Sequence, residues 1–346
     1  MKSEVAYSKF EPVEREDLFR SVKRAMSSAN WKKHVVGTTA FLKINALSPK
    51  VVPGQNTSPW FVEAVADVLS DEGFSVLIGD ADVATAKQVE LSARNWGYNF
   101  LCRKYSTRFV NLSKQNTMPV RVNGRIFRFL RIPKILFNVD SLISLPVVKT
   151  HNVAGMTCAL KNQWGCIPRF RQKFHLILSH AIPEINLAVP VKFCVADATV
   201  SLEDNGPVTG IPKVTNSVFA SHDRVALDSA VAEFMGYDSS NFGYIVNAEK
   251  VGLGSRDFKI VGDSMIPFKF RPALACNHPI VSWELRLRRT PGLNKLLFET
   301  PLFKIPAWCA YKYNSVLWYN KYGRRYALKI LRDYPLYGEE FRSLVR

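Results

Sequence analysis

The sequence is poor in the signals that mark metal clusters, nucleotide loops and membrane spans. Its six cysteines are Cys102, Cys158, Cys166, Cys194, Cys276 and Cys309, and no two of them form a CxxC half-site. That excludes the usual zinc half-site and the cysteine run of a ferredoxin-type iron–sulfur cluster. No GxGxxG turn follows the first strand and no GxxxxGK[ST] loop occurs, so hydride transfer and NTP hydrolysis have no motif behind them. The opening MKSEVAYSKFEPVERED holds no apolar stretch of the kind a secretory leader needs. No run of about 18 apolar residues is present, so no spanning helix is expected. Acidic residues are also scarce, 29 against 47 Lys and Arg, for a net charge of +18. Such an excess attracts something anionic: nucleic acid, a phospholipid surface or a phosphorylated small molecule. No nucleic-acid-binding module is recognisable, so charge alone speaks for that partner.

What is present is an ordinary globular composition. Over 346 residues, 47% are hydrophobic, enough for one large core or two medium ones and too many for disorder. Cys158 and Cys194 lie in apolar stretches, which reads as reduced, buried thiols in a reducing compartment. The expectation is a cytoplasmic protein, with peripheral contact to a membrane as the alternative.

Residues 1–34 read as an acidic lead-in followed by a basic helix, Asp17 to Lys33. VVGTTAFLKIN (Val35 to Asn45) suits a strand buried on both faces. SPKVVPGQNTSP (Ser48 to Pro59) is a loop by its breakers, and WFVEAVADVL (Trp60 to Leu69) has helical spacing. FSVLIGD (Phe74 to Asp80) is the next strand, and Val83 to Trp96 the next helix. This alternation predicts an α/β fold with a mainly parallel sheet flanked by helices, in two lobes around a cleft. Residues 101–139 break the rhythm with nine basic and no acidic side chains. An inserted basic hairpin is expected at about 101–134, turning at Asn123-Gly124. The α/β pattern resumes through Ile135 to Lys149, with strands at Val191 to Val200 and Val214 to Ser221. A helix follows from Asp223, its cap, to Met235. The α/β domain is thus placed at 35–262. From 263 the chain is a basic, aromatic extension, with 13 basic and 5 acidic residues over 281–346. Aromatics interleaved with Lys and Arg suit either packing on the core or contact with an anionic membrane surface or a protein partner.

Reactive side chains concentrate after one strand. Lys149, His151, Thr157, Lys161 and Asn162 follow the apolar run in sequence, and His175 and His180 come after the basic stretch of Arg169, Arg171 and Lys173. Sites in open α/β sheets collect at the carboxyl ends of strands, and a Gly/Thr-rich segment entering a helix there can present N–H groups to an anion. A neutral imidazole can bind metal or move protons, and a buried lysine can act as base or carry a covalent adduct. Asp197, Glu203 and Asn205 form a second cluster, at a strand end and a turn. Asp223 and Asp228 read as a helix-start acid and a helix-face acid. The predicted site lies between the His151–Lys161 segment, His175 and the Asp197–Gly210 turn, and takes a small anionic substrate.

LPVVKTHNVAGMTCALKNQWG, ATVSLEDNGPVTGIPK and ASHDRVALDSAVAEFMGYD together resemble the DUF362 family, and LKINAL with Lys43 and Asn45 resembles its opening strand. The likeness covers roughly 38–262. Many members carry a ferredoxin-like segment, which this chain lacks. The segment is also distantly similar to the nickel-pincer lactate racemases, in which a lysine bears a nucleotide-type cofactor and histidines ligate the metal. That resemblance implies catalytic roles for His151, Lys161 and His175, with His151 and His175 as metal ligands and Lys161 as a covalent site. The racemases have a further histidine after an earlier strand, where Ile78 to Thr85 has none. Their arginine-bearing opening is Lys43-Ile44-Asn45 here. The implied activity is redox or isomerase chemistry on a small anionic metabolite, with Lys43, Asn45, Lys149, Thr157 and Asn162 among its binding residues.

Overall fold

The computed structural model describes residues 2–345, with the side chains at 169 and 170 outside the described set. The first half of the chain forms β1 (Ser3–Lys9), α1 (Arg15–Ser28), β2 (Thr39–Lys43), α2 (Pro59–Ser70), β3 (Ser75–Asp80), α3 (Val89–Asn95), α4 (Tyr98–Lys104) and β4 (Val110–Asn111). It continues with β5 (Thr117–Arg121), β6 (Phe129–Pro133), β7 (Ser141–Ser144), β8 (Val147–His151), β9 (Gly155–Thr157), α5 (Ala159–Asn162) and α6 (Leu178–Ala188). Then come β10 (Val191–Glu203), β11 (Ile211–Ser221), α7 (Arg224–Phe234), α8 (Gly243–Lys250) and β12 (Phe258–Gly262). The last stretch is helical: α9 (Pro279–Arg288), α10 (Pro291–Phe298), α11 (Lys304–Lys312), a π-helical segment (Tyr313–Gly323), α12 (Arg324–Asp333) and α13 (Pro335–Phe341).

The fold is mixed α/β. The main sheet runs β12-β1-β11-β10-β7-β2-β3-β4, parallel from β10 to β4 and antiparallel at β10–β11 and β11–β1. Strand residues alternate between two cores, as a pleat of period two requires. Tyr7, Phe41, Cys194, Ala196 and Phe219 face one core, with α5–α8. Ala6, Leu42, Val195 and Val218 face the other, with α1–α4, α12 and α13. Each large apolar side chain buried in this way contributes about 1.5–3 kcal/mol.

Two topological details place the site. From β2 the chain steps to β3 and β4 on one side, and then returns to lay β7 on the other. The carboxyl ends of β2 and β7 therefore diverge, at the position where open α/β sheets leave a crevice. The apolar run from Ile135 to Lys149 is also split. β7 ends at Ser144, and β8 begins two residues past Leu145, where long β10 pairs with β7 first and β8 second. Asp197 N donates to Pro146 O at 2.8 Å at this junction.

Several local expectations are corrected. The lead-in is a strand: Val5, Ala6 and Tyr7 are fully buried between β11 and β12, an apolar triplet hidden by acidic flanks. The first helix is α1, which starts at a Glu14–Asp17 capping box and stops before Asn30, held at φ 50°. The strand expected from Val35 is confined to Thr39–Lys43, after Gly37 at φ +91°. Val83 to Gln88 is not helical. Asp82 Oδ1 accepts from Val89 N at 3.1 Å, so the helix begins only there. The basic hairpin exists as β5–β6, but Asn123-Gly124 is not its two-residue turn. Residues 122–128 form a wider loop around the buried Glu184 carboxylate, which accepts from the N–H groups of Arg125, Ile126 and Phe127 at 2.6–3.0 Å.

Candidate active site

The segment expected to run straight from strand to helix first folds back. β8 and β9 pair antiparallel, with Lys149 opposite Thr157 and His151 opposite Gly155. Gly155 sits at φ +81°, and a Cβ there would meet the Phe242 ring at 2.6 Å, so only glycine fits. The ten-residue interval between His151 and Lys161 is thus spanned by a hairpin and one helical turn. The first N–H groups of that turn are taken by a side chain of the fold and are not offered to a ligand. Ala159 N and Leu160 N donate to the Asp228 carboxylate at 2.7 and 3.2 Å. Asp228, expected on a helix face, is fully buried and holds the segment that carries Lys161 and Asn162. Burial pushes its carboxyl up to about 7.

A cleft of about 100 Å³ opens at the crevice, lined by Lys43, Asn45, Asp80, Lys149, His151, Thr157, Lys161, Asn162, Trp164, Gly165 and Arg171, among others. Its lining brings four cations to one carboxylate. Lys43 Nζ, on the last residue of β2, pairs with Asp80 Oδ1 at 2.8 Å and donates to Asn162 Oδ1 at 2.9 Å. Asn162 Nδ2 donates to Lys43 O and to Ser144 Oγ, at 3.2 and 2.9 Å, and so bridges the ends of β2 and β7. Lys149 Nζ donates to Asn45 Oδ1 at 2.7 Å and to Gln55 O at 2.6 Å. Lys161 has no carboxylate partner among the described residues, and its Nζ lies 5.1 Å from the Trp164 ring centre. Arg171 Nη2 donates to Asp82 O at 2.7 Å, tying the segment after α5 to the loop after β3.

Burial and neighbouring charge set the protonation states. Burial pushes the Lys161 amine down to about 7, with the Arg171 and Lys43 charges adding to it. Burial likewise brings Lys149 to about 7, against the attraction of Asp80. Burial, and then the Lys161 charge, hold His151 well below its usual value. His151 Nδ1 accepts from Val153 N and Ala154 N at 3.1 and 3.2 Å, so the neutral ring carries its proton on Nε2.

Other expected site residues go elsewhere. His175 stacks on Trp164 at 6.0 Å between ring centres, and its Nδ1 lies 3.4 Å from Glu284 Oε1, which also pairs with Arg288. Against its burial, these partners pull Glu284 down to about 2. His175 therefore backs the tryptophan and does not line the cleft with His151. Among the described residues no group of three or more His, Cys, Asp or Glu side chains converges as a metal site. The donor set does not fit a protein-held metal ion. Asp197 is buried and accepts from Ser58 N and from Thr199 N and Oγ1 at 2.6–3.0 Å, fixing the entry to α2. Glu203 pairs with Arg271 and Lys213, at 2.8 and 3.1 Å. Asn205 O accepts from Thr209 Oγ1 at 2.7 Å, in a turn whose Pro207 reaches the cleft. His180 lies near Asn247, outside the cleft.

Asp80, Ser144, Trp164, Gly165 and Arg171 complete the candidate site without having been given a role in it, and Asp228 was read only as a helix-face acid. Asp80 ended a predicted strand, and Arg171 was visible only as part of a basic stretch. Gly165 closes the motif that carries the family resemblance but was given no role, and a Cβ there would stand 3.0 Å from both Asp80 Oδ1 and Lys43 Nζ.

Residues 41–233 match the profile of a domain of unknown function, DUF362. The chain belongs to the DUF362 family. This DUF362 protein is 27% identical over 228 residues to the thylakoid-associated protein sll1697 of Synechocystis sp., a match covering 63% of this chain and 69% of that protein. Among solved structures, the lactate racemase apoprotein of Thermoanaerobacterium thermosaccharolyticum is similar at 16% identity and a TM-score of 0.44, over 68% of this chain. The chain spans 57% of that protein. A structural-genomics protein from Thermotoga maritima is similar at 11% identity and a TM-score of 0.39, over 70% of this chain and 60% of that one.

Proposed function

We propose that the cleft is a catalytic site for a small anionic metabolite and that its chemistry is isomerase-type proton transfer. The observation that carries this reading is the convergence of Lys43, Lys149, Lys161 and Arg171 with neutral His151 on a lining that holds one carboxylate, itself paired to Lys43. A lining so unbalanced in charge suits a bound carboxylate or phosphate. Arg171 anchors the anion and Lys43, whose three ammonium protons go to Ile44 O, Asp80 and Asn162, adds its charge, with Asn45, Thr157 and Asn162 supplying polar contacts. Lys161, an amine poised near neutral pH, takes and returns the proton, because a catalytic group works best when its pKa is near the working pH. His151 donates from Nε2 to an oxygen of the substrate as charge develops on it.

The test is exchange of the carbon-bound proton beside the carboxylate in a panel of 2-hydroxy acids, followed by NMR in D₂O. Exchange is expected with the wild-type protein, and its loss with folded Lys161→Met and His151→Ala. Full exchange by either variant overturns the roles. Binding of the acids without exchange overturns the chemistry and leaves an anion-binding site. Intact mass and elemental analysis of protein from its native host test the state of Lys161, and a covalent adduct there overturns its role as a free amine.

A further inference from the structure

Residues 304–332 hold seven basic and no acidic side chains, and all seven are exposed. They run as α11, the π-helical segment and α12 with no break in the helix. This run has two faces. Ala307, Trp318, Tyr319, Ala327 and Ile330 are buried against the body. Tyr319 packs on Val52, and Lys50 Nζ lies 4.6 Å from its ring centre, so the inner face is anchored on the loop that follows β2.

The outer face is apolar where a solvated face should be polar. Ile305, Trp308 and Leu317 are 58, 60 and 63% exposed, and Leu302, Val316 and Leu328 are exposed beside them. Ile305, Trp308, Lys312 and Val316 fall at intervals of three or four, and Leu317, Lys321, Arg324 and Leu328 continue the spacing. The π pitch, wider than an α turn, keeps Leu317 and Lys321 on the outer side while Ser315, Trp318, Tyr319 and Gly323 stay inside. Exposed Trp and Leu flanked by Lys and Arg, with no acid among them, match the headgroup–acyl boundary of an anionic bilayer. There the rings and aliphatic chains enter the interface, and the long basic stems reach the phosphates. Charge complementarity selects the lipid surface: the face is basic along its whole length and carries no acid. No helix among the described residues is long and apolar enough to cross a membrane, so the contact lies in the plane of the surface.

We infer that the outer face of residues 304–332 docks the protein on anionic lipid bilayers. The test is flotation of the full-length protein with phosphatidylcholine vesicles, with and without phosphatidylglycerol. Binding is expected only with the anionic lipid, with a loss of about tenfold or more at an ionic strength of about 0.5 M. The double variant Trp308→Glu/Leu317→Glu, with wild-type circular dichroism, loses the binding about tenfold or more. Arg128→Glu/Arg131→Glu, on the β5–β6 hairpin, retains it. Absence of wild-type binding at low salt overturns the inference. So does binding that survives the first pair of substitutions, or that only the hairpin pair removes. A concentration-dependent dimer that Trp308→Glu dissociates, in protein that ignores vesicles, assigns the face to a second copy of the chain and overturns it as well.

Discussion

Replacing Lys161 by methionine should stabilise the fold while weakening the site. Its amine is brought from 10.5 to about 7, chiefly by burial and then by Arg171 and Lys43. At about 1.4 kcal/mol per pH unit, the charged form carries a ceiling of about 5 kcal/mol of unfavourable free energy in the folded state. Relaxation and water entry reduce this, and a gain of about 1–3 kcal/mol is expected for Lys161→Met at pH 7. The folded pKa lies below the unfolded one, so between about pH 7 and 10.5 the unfolded chain binds more protons and wild-type stability rises with pH. Below pH 7 the full penalty is present. Urea melts from pH 6 to 10 measure this slope, which the variant should flatten in part; Lys149, also at about 7, supplies the remainder. Binding has the opposite trend. A protonated lysine favours the anion, so affinity for sulfate or a 2-hydroxy acid should fall about tenfold per pH unit above 7 for each lysine engaged. Isothermal titration checks it. A Lys161→Met protein destabilised by more than about 1 kcal/mol would refute the reasoning, as would unchanged affinity with an unchanged pH profile.

Other expectations follow from the same geometry. Asp228→Ala removes the acceptor for two buried N–H groups and should cost about 2–4 kcal/mol in urea unfolding, with anion affinity lost alongside it. Gly206→Ala places a Cβ 2.1 Å from Thr150 O, so the turn must shift; a loss of about 2 kcal/mol or more is expected by thermal melting, with Pro207 displaced from the cleft. Phe341→Ala opens a cavity in the second core beside Trp96 and should cost about 3–5 kcal/mol by calorimetry.

Much of the fold was legible in the sequence, because buried parallel strands write themselves as apolar runs. Phe74 to Asp80, Val191 to Val200 and the Asp223-capped helix correspond to β3, the first ten residues of β10, and α7. β1 was missed because three buried residues between acidic flanks leave no period to detect. α4 was missed because its basic residues belong to a charge run, although Leu101 and Cys102 are buried. Of the candidate site, Lys149, His151, Lys161 and Asn162 were readable as one cluster after an apolar run, and the family resemblance drew attention to Lys43 and Asn45. Asp197, expected at a strand end, lies in the middle of β10, and Glu203 ends it; their carboxylates serve hydrogen bonds and ion pairs within the fold, which composition cannot separate from ligand contacts. Asp80 and Arg171 come to the cleft through tertiary packing, Asp80 on Lys43, 37 residues away, and Arg171 on Asp82, 89 residues away, and one-dimensional spacing carries no trace of it.

The tie between α2 and α13 has a consequence for how the protein is made. Ser58 caps α2, and its hydroxyl donates in turn to Glu340, whose carboxylate also accepts from Trp60 N at 3.1 Å. Leu336, Tyr337 and Phe341 fill the same core as α1 and α2. During synthesis an early helix is therefore finished by a residue made 282 positions later. Until α13 emerges, that core stays open to solvent, and loss of α13 should unfasten α1 and α2 first.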